Sequence, residues 1–346
     1  MKFYTKEHRN YCGIDLHAKS MYLCILDNKG TVLLHRNIKT DREIFLKTIR
    51  KYRDDLVVAV ECTFTWYWIA DLCEKEGIAF VLGHALYMKA IYGGKAKNDR
   101  IDAQKIAMLI RGGMFPVAYV YPPKMRSTRD LLRRRMYLSR KRAELLTHIQ
   151  NTAYQYNLPD IENNVCRKSQ RVGVAQLFPD KSVQKSIQLD LDLLDFYDTI
   201  LPKLEKEISA IAKEHDADSY FRIRSIPGIG RILGLAILYE IHDIKRFPKV
   251  QAFASYCRLV KPAKESAGKK SGSSGAKIGN VHLKWAFSEA VVLFLRRNEK
   301  AKLYRARLEK KHGKAKSLTI MAHKIARATY YILTRNTVFK MEEFFK

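Results

Sequence analysis

The sequence predicts an α/β domain followed by a mostly helical region, and three observations carry that prediction. Three β-rich runs open the chain: YCGIDL (11–16), MYLCILD (21–27) and VLLHRNI (32–38). Helix-like and strand-like segments then alternate to about residue 120. From residue 128 the periodicity is helical, in long and highly charged stretches.

Each element has its own warrant. The turn Asn28-Lys29-Gly30 separates the second and third strands. A helical stretch follows at 41–53. LVVAVE (56–61) is a continuous apolar run of the kind that forms a buried central strand. Residues 66–77 read as helix and IAFVLG (78–83) as strand. Residues 99–111 read as a helix on Ile101, Ile106, Leu109 and Ile110, ended by Gly112-Gly113. A long basic helix is expected over 128–158, then a turn-rich passage with Pro159 and Pro179. A second amphipathic stretch at 181–215 should be kinked or split by Pro202. The two long helices fit either a coiled-coil arm that dimerises or a plain helical hairpin. The expected division is 1–125, 126–217 and 218–346.

Charge narrows the function. The 346 residues hold 64 Lys and Arg against 35 acids, a net +29. That excess points to a polyanionic partner, nucleic acid before a membrane surface or a ribosome. Nine basic residues and one acid, Asp130, lie between Lys124 and Arg142. Residues 261–346 hold 21 basic residues and six acids. Two separated clusters suit an extended nucleic-acid path. Arg133, Arg134 and Arg135 in the first, and Lys264, Lys269 and Lys270 in the second, are the candidate contacts. None of the six cysteines has CxxC spacing, which excludes a zinc ribbon or a thioredoxin motif. No apolar run reaches the ~20 residues of a membrane span, and the N-terminus lacks a signal-peptide core. A reducing cytoplasm is the expected location.

Four acids stand out. Asp15 lies in the apolar context CGID, and Glu61 closes the run VVAV. A carboxylate at the end of a buried strand is costly unless paired or bound to metal. Asp99 and Asp102 are three apart at the start of a helix and share a face. Taken singly, Asp99 could be a helix cap, Asp102 a first-turn acid and Asp15 a turn residue. Converging from two strands and a helix, the four would form a two-metal magnesium site for phosphodiester chemistry. His17, two residues after Asp15, is a lesser candidate and reads more simply as a packed or exposed histidine.

IPGIG (226–230) lies between helical segments and has the form of a helix–hairpin–helix turn, in which Gly228 and Gly230 let backbone amides approach phosphate. The alternative is a tight turn that only packs two helices. The stretch 265–280 is rich in Gly, Ser and Lys and reads as an exposed loop. Composition does not separate Ser266 from Ser271, Ser273 or Ser274 as a nucleophile, nor a nucleophile from a solvated linker.

GID (13–15), AVECT (59–63), KNDRIDA (97–103), IPGIG (226–230), FASYCRLVKPAKES (253–266) and AKIGNVHLKWA (276–286) stand in the order seen in a known family. The chain resembles the DEDD transposases of the insertion-sequence one-ten / eleven-eleven group, which are similar to the Piv/MooV site-specific DNA invertases. The resemblance implies an RNase H-like (RuvC-like) N-terminal domain, a coiled-coil middle and a C-terminal serine transposase domain. It implies Mg2+, with Mn2+ as an alternative, on Asp15, Glu61, Asp99 and Asp102, and Ser266 as nucleophile. It also implies DNA as substrate, a noncoding guide RNA, a homodimer or homotetramer, and action at the prokaryotic nucleoid. An invertase or a RuvC-like metal-dependent nuclease would share this build.

Overall fold

The computed structural model describes residues 2–91, 98–158, 161, 165–261, 265–266, 269–270, 278–296 and 298–345. For Glu265, Ser266 and Lys270 it describes the backbone only. The chain forms two compact units, Met1–Pro123 and Lys124–Lys346.

The first unit is built on a mixed five-stranded sheet. Its strands are β2 (Asn10–Leu16), β3 (Ser20–Asp27), β4 (Val32–Lys39), β5 (Leu56–Glu61) and β6 (Ala79–Gly83), in the order β4-β3-β2-β5-β6. The first three pair antiparallel, joined by short turns. β5 then pairs parallel to β2, and β6 parallel to β5. A two-stranded ribbon of β1 (Phe3–Tyr4) and β7 (Phe115–Pro116) completes the strands.

Strand periodicity sorts side chains between two layers. Cys12, Ile14 and Leu16 of β2 and Val58 and Val60 of β5 face one core. Phe45 and Ile49 of α1 (Arg42–Ile49) and Ile69 and Cys73 of α2 (Tyr67–Lys75) fill that core. Tyr11, Val57 and Ala59 face the other side, against Ile106, Leu109 and Ile110 of α4 (Asp99–Arg111). A short α3 (Ala85–Ile91) precedes α4. Both β2 and β5 are therefore covered on both faces, which explains the near-continuous apolar run of β5.

The second unit is helical. α5 (Pro123–Gln155) starts earlier than the periodicity indicates, because a proline is tolerated in the first turn. At 33 residues it is about 50 Å long. α6 (Lys181–Arg224) runs antiparallel to it, with Arg135, Arg142 and His148 paired to Glu205, Asp198 and Asp190 in turn. The two helices thus make an intrachain hairpin. Its far end has a core of its own, where Ile149, Ala153, Ile187, Leu191 and Leu194 meet Val165, Val174 and Phe178.

Pro202 does not split α6, the stronger of the two outcomes its position suggests. The dihedrals leave the helical region only at Asp216 (φ −163°, ψ 79°). There the Asp216 carboxylate accepts from the Ser219 amide at 2.9 Å and starts the helix again, as a cap does.

The remaining helices, α7 (Arg231–Ile241), α8 (Val250–Tyr256), α9 (Val281–Arg296), α10 (Glu299–His312), α11 (Lys314–Arg335) and α12 (Met341–Phe344), gather around the main core of the unit. Leu235, Tyr239, Phe253, Phe287 and Ile325 are fully buried in it. Between α8 and α9, Glu265–Ser266 (β8) pairs antiparallel with Lys269–Lys270 (β9). No described helix is long and apolar enough to cross a membrane.

Candidate active site

Gly13 explains how Asp99 and Asp102 of α4 come close to Asp15 of β2. A Cβ at this position of β2 would lie 2.3 Å from the Ala107 amide nitrogen and 2.4 Å from the Ala103 carbonyl oxygen. The α4 backbone therefore rests directly on the strand, which only glycine permits. Asp99 lies one helical turn before Ala103, and Asp102 is the residue directly before it. Asp15 is two residues beyond Gly13 on the same face of β2. Glu61 shares that face through Val57 and Ala59. The register pairs Ile14 with Val60, so Asp15 and Glu61 occupy the next position on adjacent strands.

His17 sits between two of these acids. Its Nε2 lies 3.3 Å from Asp15 Oδ2 and 3.6 Å from Asp99 Oδ1. One ligand atom from each of Asp15, His17 and Asp99 lies within 4.8 Å of the others. Asp102 accepts from Lys105 Nζ at 3.4 Å. The Asp15 side chain is only 20% exposed. Burial raises its carboxyl pKa above the usual range; His17 opposes the rise, and Asp99 and Asp102 add to it. This crowding of acids around a half-buried carboxylate fits a divalent cation.

The α4 cap is Asn98, whose Oδ1 accepts from the Ile101 amide at 2.8 Å. Asp99 is thus the first helical residue and not the cap. His17 is the ligand candidate that sequence reasoning set aside. Its period-2 relation to Asp15 was the only signal in the sequence that could have found it.

In the second unit the chain leaves α8 and returns to α9 through a pinned stem. The Asn280 amide donates to the Tyr256 carbonyl at 2.6 Å, and Arg258 Nε donates to the Gly279 carbonyl at 3.0 Å. Gly279 has φ +98°, and a Cβ there would meet the Tyr256 oxygen at 2.5 Å. Ser266 lies beyond this stem with its backbone in β8. Lys264 and the side chains of Ser266 and Lys270 fall outside the described residues, and Lys269 is exposed.

The arginines of α5 have carboxylate neighbours. Arg133 donates to Glu240 through Nε at 2.6 Å and Nη2 at 2.9 Å, and Arg129 Nε donates to the same carboxylate at 3.0 Å. Arg135 Nε donates to Glu205 Oε1 at 2.9 Å. The Arg134 guanidinium lies 5.0 Å from the Tyr137 ring centroid. In the Ile226–Gly230 turn, Gly228 has φ +86° and abuts α9. A Cβ on it would meet the Phe294 nitrogen at 2.6 Å. Gly230 precedes α7, and a Cβ there would meet open space.

Comparison with known proteins finds matches over most of the chain. Residues 12–158 match a DEDD transposase family of the IS110 type, described as Transposase. Residues 221–306 match the Transposase IS116/IS110/IS902 family. The chain is also similar to the transposase for insertion sequence element IS1111A of Coxiella burnetii (strain RSA 493 / Nine Mile phase I). The two are 24% identical over 341 residues, covering 95% of this chain and 90% of that one. With two family segments in order along the chain and one relative spanning nearly all of it, the protein belongs to the IS110/IS1111 family of transposases, enzymes that act on DNA.

Proposed function

We propose that the protein cuts and rejoins DNA strands for insertion-sequence movement, using a divalent-metal site on Asp15, Glu61, Asp99 and Asp102 and a serine nucleophile at Ser266. The observation that carries this reading is the gathering of the acids on one face of the first unit, with Asp15 crowded by Asp99 and Asp102. The strand order β4-β3-β2-β5-β6, antiparallel then parallel, supports an RNase H-like reading of that unit. A bound Mg2+, or Mn2+, would supply charge neutralisation at the phosphodiester oxygens.

The protein's own groups do the rest. Asp15, Glu61, Asp99 and Asp102 would supply the negative charge that holds the ion, and His17 orients Asp15 and Asp99. Ser266 Oγ loses its proton, bonds to the scissile phosphorus and breaks the bond to the leaving deoxyribose oxygen, which takes up a proton. Attack on that phosphoserine by a deoxyribose hydroxyl of the second strand restores Ser266. One phosphodiester is exchanged for another, so no external energy is needed. Lys264, Lys269 and Lys270 offset the charge around the phosphate. The amides at the start of α7, opened by Gly230, are assigned to a backbone phosphate. Of the net charge of +29, the two clusters hold +8 and +15, which supports a second polyanion besides DNA, a noncoding guide RNA; assembly as a dimer or tetramer belongs to the same proposal.

The test compares wild type, Ser266→Ala and Asp15→Asn on element-end DNA with its noncoding RNA and magnesium, scoring covalent protein–DNA adduct on a denaturing gel. Adduct in wild type and none in Ser266→Ala supports the serine step. Equal cutting by both proteins with no adduct overturns it.

A further inference from the structure

Next to the acids of the first unit lies a cleft of about 590 Å³ whose lining includes His17, Arg42, Phe64, Thr65, Tyr67 and Trp68. Its size falls within the roughly 300–1,000 Å³ usual for sites that enclose small ligands or parts of them. We propose that this cleft receives one unpaired nucleobase of the DNA strand being processed, stacked on Phe64, with Arg42 toward its phosphate. The inference rests on the reading of the acids as the reaction centre.

Phe64 carries the argument. It is 86% exposed, more than any other large apolar side chain described in this unit. It projects from a turn that is itself held in place. The Thr63 amide donates to the Glu61 carbonyl at 2.8 Å, and the Thr63 and Thr65 hydroxyls lie 2.9 Å apart. Thr65 Oγ1 donates to the Leu16 carbonyl at 3.2 Å, which ties the turn to the end of β2. A phenyl ring held out to water on a braced turn contributes nothing to the core and offers an open π-face.

Position and charge select the occupant. The turn follows Glu61 directly, and His17 belongs both to the cleft wall and to the acid cluster. Whatever fills the cleft therefore lies beside the carboxylates. Asp41, which also lines it, already accepts from the Glu43 and Ile44 amides at 2.9 and 3.0 Å. Exposed Arg42 is left facing the cleft as a cation. Aromatic rings, a guanidinium and hydroxyls together match a base with its phosphate. Bases within a duplex are stacked on both faces, so stacking on Phe64 requires a base already out of the helix.

The experiment uses the full chain and a duplex with a short single-stranded gap in which one thymine is replaced by 5-iodouracil. Irradiation should cross-link the peptide bearing Phe64, Tyr67 and Trp68. Phe64→Ala should lose that cross-link and weaken binding of the gapped DNA about 5-fold or more, leaving a fully paired duplex of equal length unaffected. Its exposure means that truncation leaves the core intact, which a melting curve verifies. Cross-links confined to other peptides overturn the proposal. So does equal binding of gapped DNA by Phe64→Ala and wild type, or an equal loss for gapped and paired DNA. A loss of self-association in Phe64→Ala with unchanged DNA binding would assign the cleft to a second copy of the chain and also overturn it. Asp15→Asn separates the two readings. If Asp15→Asn still processes DNA while the cross-link maps to Phe64, the base site stands and the acid centre falls.

Discussion

Asn280 donates its side-chain amide, at 2.7 Å, to the carboxylate of Glu240, whose side chain is wholly buried. The same Asn280 caps α9, its Oδ1 accepting from the His282 and Leu283 amides at 2.9 and 3.0 Å. One buried carboxylate thus links α5, through Arg129 and Arg133, to the residue that begins α9. Burial pushes the Glu240 carboxyl up, but the Arg133 hydrogen bond, the charges of Arg129 and Arg133 and the Asn280 amide outweigh it and hold the pKa at about 2. Glu240→Gln leaves two guanidinium groups short of their counter-ion and should destabilise the protein by about 3–5 kcal/mol at neutral pH. A depressed carboxyl contributes stability that is fully present above the unfolded value of 4.5 and is lost as pH falls toward about 2. The gap in melting temperature between wild type and Glu240→Gln should therefore narrow from pH 7 to pH 3.

Gly13→Ala tests the close approach of α4 to β2. The added methyl must displace the helix backbone at Ala103 and Ala107, which cannot swing aside as a flexible side chain would. Overpacking of this kind costs about 1–3 kcal/mol. Because α4 carries Asp99 and Asp102, DNA processing should fall further than the lowered melting temperature explains. Activity assayed well below the melting temperature of the variant makes the distinction.

Asp15→Asn should remove the thermal stabilisation that magnesium or manganese gives the wild type. A ligand that binds only the folded state at about 100 times its Kd contributes about 2.7 kcal/mol. Without divalent metal, the variant should melt at or above the wild-type temperature, since it relieves a crowded and half-buried carboxylate. A melting temperature that rises equally with metal in both proteins would remove Asp15 from the metal site.

Arg171 is buried in the far end of the α5–α6 hairpin, where it bridges Asp195 and Asp198 and donates from Nε to the Val165 carbonyl at 2.8 Å. Arg171→Met should cost about 1.5–3 kcal/mol for each charged hydrogen bond lost. The effect should be local. Amide exchange should quicken around Ile149 and Ile187 in the hairpin core and stay unchanged in the sheet of the first unit.

Much of the first unit was legible because its signals are short-range. Period-2 patterning marks β2 and β3, and the unbroken apolar run of β5 marks a strand covered on both faces. What the sequence does not show is how elements meet. The role of Gly13 becomes visible only once Ala103 and Ala107 are seen against it. His17 gains meaning from Asp99, which is remote in sequence. Pro202 carries the strongest local signal for a break, yet the break falls at Asp216, where a side-chain cap provides a restart. Likewise, a run of arginines such as 133–135 reads as free positive charge until its tertiary carboxylate neighbours, Glu240 and Glu205, are known.

The stem formed by Tyr256, Arg258, Gly279 and Asn280 has a consequence for the length of the stretch it closes. The two ends of the intervening stretch are fixed by backbone groups and a buried cap, whatever residues lie between them. Closure entropy grows only logarithmically with length, about 0.6 kcal/mol per doubling. Changes of length within the stretch, away from Ser266 and the lysines assigned to the phosphate, therefore leave the helical scaffold almost indifferent. The stem thus holds the ends of this segment in place independently of its length.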